Sequence, residues 1–178
     1  MELQISPGQS YPLGATVHPN GVNFSLFSKS ATAVELLLFD HPKALQPAHT
    51  IRLSSQHHKT FFYWHVFVAH ISAGQIYAYR VHGPFEPNQG LRFDGNKVLL
   101  DPYALAIVGE DHYSRSAAIG PGDNCAQALK GVVANPRTYD WENDAHPRTP
   151  YATTVIYALH VGGFTHNPNS GVAPEKRG

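Results

Sequence analysis

No stretch in the first 110 residues repeats its apolar side chains at helical spacing, and this limits the possible folds more than any other feature. Short runs alternate instead. Val22, Phe24 and Leu26 share one face of residues 21–28. Val34, Leu36 and Leu38 do so in residues 34–39, and residues 50–53 form a shorter run. Trp64, Val66 and Val68 share a face of residues 61–68, and Tyr77, Tyr79 and Val81 share one in residues 75–82. Turn signals such as Pro19-Asn20-Gly21 and Asp40-His41-Pro42 separate the runs. Period-two alternation in short runs bounded by Gly, Pro and Asn is the pattern of an antiparallel β-sandwich. The expected class is therefore mainly β.

Composition narrows the class of function. The 178 residues are 42 % hydrophobic and 15 % charged, which suits a buried core and not a disordered chain. Thirteen basic and thirteen acidic residues give a formal net charge of zero, and no run of like charge occurs. That argues against nucleic acid or a membrane surface as a partner. Cys125 is the single cysteine, so no internal disulfide can form, and its surroundings match no nucleophile signature. It reads as a thiol in a loop or short helix. The N-terminus carries no basic or apolar leader, and no run reaches the ~18–20 apolar residues of a membrane span. The expected setting is soluble and cytoplasmic. No phosphate-binding glycine motif or nucleophile elbow occurs, and no cofactor is expected.

Beyond residue 82 the character changes. Residues 83–102 carry aromatic and charged residues without a Ser/Gly tract, as an ordered loop does. Asp101 followed by Pro102 is placed to cap a short helix. Residues 114–150, with Gly120-Pro121-Gly122, Asn135-Pro136, Pro147 and Pro150, read as a long surface connection with little regular structure. Residues 155–161 form a compact apolar run, which is how a buried parallel strand reads, and Gly162-Gly163 reads as its tight end.

Four blocks together resemble the N-terminal part of isoamylase-type glycogen and starch debranching enzymes, in the α-amylase superfamily. The first is Pro12-Leu13-Gly14-Ala15-Thr16 with Gly21-Val22-Asn23-Phe24-Ser25-Leu26-Phe27-Ser28 and Ala31-Thr32-Ala33-Val34-Glu35-Leu36. The second is Tyr77-Ala78-Tyr79-Arg80-Val81-His82-Gly83-Pro84-Phe85-Glu86-Pro87. The third runs from Arg92-Phe93 through Asn96-Lys97 to Leu99-Leu100-Asp101-Pro102-Tyr103-Ala104. The fourth is Tyr139-Asp140-Trp141-Glu142 followed by residues 155–165. The blocks keep the family's order and spacing. Ala158 and Gly162 depart from it, standing where the family usually has an acidic and often a basic residue.

The resemblance implies an immunoglobulin-like, glycogen-binding-like sandwich over residues 1–113 and an extended connecting segment over 114–150. It implies that residues 151–178 open a truncated (β/α)8 barrel with its first strand. The full-length parent would hydrolyse α-1,6 branch linkages of glycogen or amylopectin. That chemistry uses two carboxylates ~5–5.5 Å apart, at the ends of later barrel strands. Only 28 residues follow residue 150, against roughly 250 for a barrel. No catalytic residue is therefore assigned, and the chain is expected to be inactive alone. Its partner would be branched α-glucan, met through the full-length enzyme.

The remaining acids and histidines have simpler readings. Asp140 with Glu142, and Asp94 with Asp101, read as solvated or docking acids, because catalytic carboxylates need a rigid scaffold. His57, His58, His65 and His70 read as surface histidines, and no metal site is expected. Tyr63 and Phe67 alternate out of the core beside His65, and with Trp141 they are the candidate carbohydrate-binding residues. An alternative is a standalone glucan-binding or protein-interaction sandwich. An apolar strand without neighbours favours the fragment reading, in which residues 1–113 fold alone.

Overall fold

The alternating runs pair as their periodicity requires. The computed structural model describes residues 3–178. Its strands are β1 (Ile5–Ser6), β2 (Gly14–His18), β3 (Gly21–Phe27), β4 (Ala33–Phe39), β5 (His49–Leu53) and β6 (Lys59–Thr60). They continue with β7 (Tyr63–Ala69), β8 (Ile76–His82), β9 (Phe85–Glu86), β10 (Leu91–Arg92), β11 (Ala106–Val108) and β12 (Lys130–Val132). Two short helices are α1 (Arg115–Ile119) and α2 (Val161–His166).

The strands build two antiparallel sheets and a small β9–β10 hairpin. The first sheet runs β1-β7-β3-β2, with β6 also on β7; the second runs β11-β12-β8-β4-β5. In the first, Phe27 pairs with Tyr63, Ser25 with His65 and Asn23 with Phe67. This register turns Val22, Phe24, Leu26, Trp64, Val66 and Val68 inward, all buried. Val34, Leu36, Leu38, Tyr77, Tyr79 and Val81 meet them from the second sheet. The rings of Phe24 and Tyr77 cross edge to face at 5.0 Å, the favoured aromatic geometry.

The second sheet is buried on both faces. Leu37, Phe39 and Ala78 point away from the main core and pack with Val98, Cys125 and Ala128. Two residues staple that cover. Asn124 accepts from the Val98 N–H at 2.7 Å and donates back to its carbonyl at 3.2 Å. The fully buried Lys130 donates to the carbonyls of Pro42 at 2.7 Å and Cys125 at 2.6 Å, with its ammonium 4.9 Å from the centre of the Phe39 ring.

Several expectations are corrected here. Residues 114–139 are not a bare connection: they hold α1, β12 and the cover of the second sheet, and the first compact unit runs to Tyr139. Residues 101–104 form no helix. Asp101 turns inward, accepting from the Tyr103 N–H at 2.8 Å in a tight turn. Residues 83–92 contain the β9–β10 hairpin. The strand expected over residues 155–161 is not formed. Residues 154–160 carry no regular structure, and Val161–His166 is helix, capped by the His160 ring on the Gly163 N–H at 2.9 Å. A strand needs neighbours to hydrogen-bond its backbone. The second unit, Asp140–Gly178, offers no strand pairing to this run.

Candidate functional site

Alternation along β7 puts Tyr63, His65 and Phe67 on the outer face of the first sheet. The structure does not leave them as one open platform. Residues 7–10 cross the middle of that face as a strap. The Gln9 N–H donates to the Asn23 side chain at 2.7 Å, whose amide returns a bond to the Gln9 carbonyl at 2.9 Å. Ser25 donates to the Ser10 carbonyl at 2.7 Å. His65 pairs with the Pro7 carbonyl at 2.7 Å and with the Thr60 hydroxyl at 2.9 Å. Asn23, Ser25 and His65 are all buried beneath it. The strap comes this close because residue 8 is glycine: at φ +73°, a Cβ would meet the Asn23 oxygen at 2.5 Å and the Phe67 nitrogen at 2.7 Å. So His65 is a buried polar anchor, and not the surface residue expected from sequence.

The strap separates the two candidate aromatics. Phe67 faces a shallow hollow with the His18 ring at 6.0 Å. Tyr63 joins an aromatic corner that sequence reasoning missed. Its ring lies 5.4 Å from Phe27, which lies 6.3 Å from Phe62, which lies 3.9 Å from Phe61. Phe61 is 75 % exposed and holds φ +59°, a left-handed conformation that is strained for a bulky side chain. The third candidate, Trp141, belongs to the second unit and is exposed. It sits in a turn where the Glu142 N–H donates to Asp140 at 2.8 Å.

A cleft of about 890 Å³ opens beside the corner. Phe27 and Lys29 line it at the end of β3, and Phe85, Arg92, Phe93 and Asp94 at the hairpin. Tyr79 and Leu99 also line it, and their backbones exchange hydrogen bonds at 2.9 and 2.8 Å. One turn further, the Tyr77 hydroxyl donates to Asp101 at 2.8 Å inside the protein. Burial pushes the Asp101 carboxyl pKa up, against the lowering effect of its two hydrogen bonds. Burial, then the adjacent Asp101 charge, pushes the Tyr77 phenol up as well. This pair pins residues 99–104 to β8 and so fixes the cleft wall.

Asp94, Asp101 and Asp140 have local partners. Asp94 accepts from the Asn96 N–H at 2.9 Å, Asp101 holds Tyr77 and Tyr103, and Asp140 caps Glu142. Among the described residues no group of three or more His, Cys, Asp or Glu is arranged to hold a metal ion. His58 accepts from the Ser54 N–H at 3.0 Å, and its pKa is lowered by burial, then by His57 and His65. Cys125 is buried, which raises its pKa. No helix of the described residues is long and apolar enough to cross a membrane.

The family model for carbohydrate-binding module 48, the isoamylase N-terminal domain, matches residues 12–104. The chain belongs to the carbohydrate-binding module 48 family. The matched span covers β2 to β10 and the wall of the cleft through Asp101. The chain is 42 % identical over 166 residues to a glycogen debranching enzyme of Serratia proteamaculans, covering 91 % of the chain and 24 % of that relative. It is 39 % identical over 186 residues to a glycogen operon protein GlgX homolog of Mycobacterium tuberculosis, covering 98 % of the chain and 25 % of the relative. The chain thus spans about a quarter of the length of the curated relatives it matches. A mutant pullulanase of Paenibacillus barengoltzii complexed with maltotriose shares its fold at TM-score 0.55 and 24 % identity, over 91 % of this chain and 21 % of that one. The pneumococcal glycogen-degrading virulence factor SpuA does so at TM-score 0.55 and 22 % identity, over 92 % and 16 %.

Proposed function

We propose that this chain is the non-catalytic N-terminal module of an isoamylase-type debranching enzyme. The full-length parent hydrolyses α-1,6 branch linkages of glycogen or amylopectin, and the module contacts the glucan. The observation that carries this reading is the family match over residues 12–104 together with relatives named for glycogen debranching. The compact unit ending at Tyr139 serves as the glucan-side module, with residues 140–178 leading toward the catalytic part of the parent. The setting of that parent is the cytoplasm.

Of the aromatic candidates, Tyr63 has the better surroundings for a sugar, because Phe27, Phe61 and Phe62 extend its ring into a broader apolar surface. Among the described residues, Phe67 has only the smaller His18 ring nearby, at 6.0 Å. A pull-down tests the reading: the purified chain is spun with insoluble amylopectin or glycogen-coated beads, with reducing sugar followed in the same tube. Retention on the beads without sugar release is the expected result. Sugar release above buffer would overturn the non-catalytic assignment, and absence of retention would overturn glucan contact.

A further inference from the structure

The cleft beside the aromatic corner has no assigned occupant, and its chemistry is specific enough to suggest one. Its volume of about 890 Å³ lies within the ~300–1,000 Å³ typical of small-molecule sites. Phe27 and Phe85 stand at it with 48 % and 68 % of their surface exposed, and Phe93 and Leu99 continue the apolar lining. A hexose ring offers an apolar C–H face for stacking and a rim of hydroxyls that need donors and acceptors. The cleft holds both kinds of partner. Among the described residues the guanidinium of Arg92 makes no ion pair or side-chain hydrogen bond, so its donors are available. Asp94 uses one carboxylate oxygen on Asn96, at 2.9 and 3.1 Å, and keeps the other. Lys97, by contrast, is committed: its ammonium donates to the carbonyls of Ala117 at 2.8 Å and Gly122 at 2.6 Å, holding the wall.

The balance of charge selects a neutral ligand. Arg92 and Lys29 would attract an anion, but Asp94 lines the same cleft and opposes it. A polyhydroxylated neutral chain uses all three. Phe27 is shared with the corner, so a sugar chain leaving the cleft next meets Phe62 and then the outward, strained Phe61. We propose that the cleft seats a short segment of linear α-glucan, stacked on Phe27 and Phe85 and hydrogen-bonded by Arg92 and Asp94, with Phe61 extending the surface outside. This rests on the reading that the module contacts glucan.

Titration of the full chain with maltoheptaose tests it, by calorimetry and by amide shifts in ¹⁵N-correlated spectra. Shifts centred on Phe27, Gly90 and Leu99 are expected. Phe85→Ala and Arg92→Ala should each lower the association constant about tenfold with the thermal midpoint unchanged, since both side chains are on the surface. Full affinity in both variants, with shifts confined to the neighbourhood of Phe67, would overturn the cleft and leave glucan contact standing. No heat and no shift with maltoheptaose, and no retention on glycogen, would overturn both.

Discussion

Asp101 holds a buried junction whose energetics can be worked out residue by residue. Its carboxylate accepts from the Tyr77 hydroxyl and the Tyr103 N–H, both at 2.8 Å, and both Asp101 and Tyr77 are buried. Asp101→Ala orphans two donors, each worth about 1–3 kcal/mol. Removing a desolvated charge returns part of that, so the net loss should be about 2–4 kcal/mol. Asp101→Asn is the informative partner. Its carbonyl can take the Tyr103 N–H while its amide donates to the phenol oxygen, and the charge is gone. Because burial raises the Asp101 pKa in the fold, folding costs the ionised carboxylate more than a neutral group, and Asn should match or exceed wild-type stability at neutral pH. The sign with pH follows. A folded pKa above the unfolded 3.8 means that the folded state binds the proton first, so wild type gains on Asp101→Asn as pH falls through that window. Urea unfolding followed by tryptophan emission measures this, in a Trp141→Phe background that leaves the buried Trp64 as sole reporter. If Asp101→Asn is as destabilised as Asp101→Ala, or Asp101→Ala lies within about 0.5 kcal/mol of wild type, the junction does not hold the wall as argued.

Further expectations rest on single observations. Lys130→Met strips the half-buried Pro42 and the buried Cys125 carbonyls of their charged donor and should cost about 2–4 kcal/mol in urea unfolding. Gly8→Ala places a Cβ 2.5 Å from Asn23 at positive φ; it should cost about 2 kcal/mol or more and raise hydrogen exchange at Gln9. The Asp111 carboxyl, held at about 2 by hydrogen bonds from Lys43 and His112, contributes stability that is complete above its unfolded pKa of 3.8 and fades as pH falls through about 2. An NMR titration showing an ordinary carboxylate midpoint would remove that pairing. A chain cut after residue 139 should unfold cooperatively. One cut after residue 113 loses β12, Cys125, Ala128 and Lys130, uncovers Leu37, Phe39 and Ala78, and should bind hydrophobic dye.

The central strands were legible because one side of each faces a single core: Trp64, Val66 and Val68, or Tyr77, Tyr79 and Val81, announce a buried face by alternation alone. The second buried face was signalled by the unbroken run Leu36-Leu37-Leu38-Phe39, since a strand covered on both sides does not alternate. What covers it could not be read locally. Cys125 and Ala128 lie almost ninety residues further on, in a segment whose prolines and glycines resemble a connection. Residues 155–161 show the opposite failure. Their apolar run satisfies a strand pattern, yet a pattern without paired neighbours leaves no ladder: residues 155–160 stay irregular and Val161 opens α2. The aromatic corner and the cleft gave no sequence signal, because they join residues such as Phe27, Phe61 and Phe85 that only the sandwich brings near one another.

The buried polar residues explain why the cleft has a fixed shape on a small β-sandwich. Hydrophobic burial is non-directional: it holds the two sheets together but does not decide where a long loop lies. Asn23, Ser25 and His65 fix the strap across the first sheet; Asn124 and Lys130 fix the cover of the second; Asp101 and Lys97 fix the wall of the cleft. Each bonds backbone N–H or carbonyl groups of the segment it holds, so displacing that segment breaks several bonds at once. Arg92 and Asp94 stand on a wall fixed in this way, with donors and an acceptor unspent. That pre-organisation lets a weak stacking surface select a ligand, because the polar groups need not be ordered when it arrives.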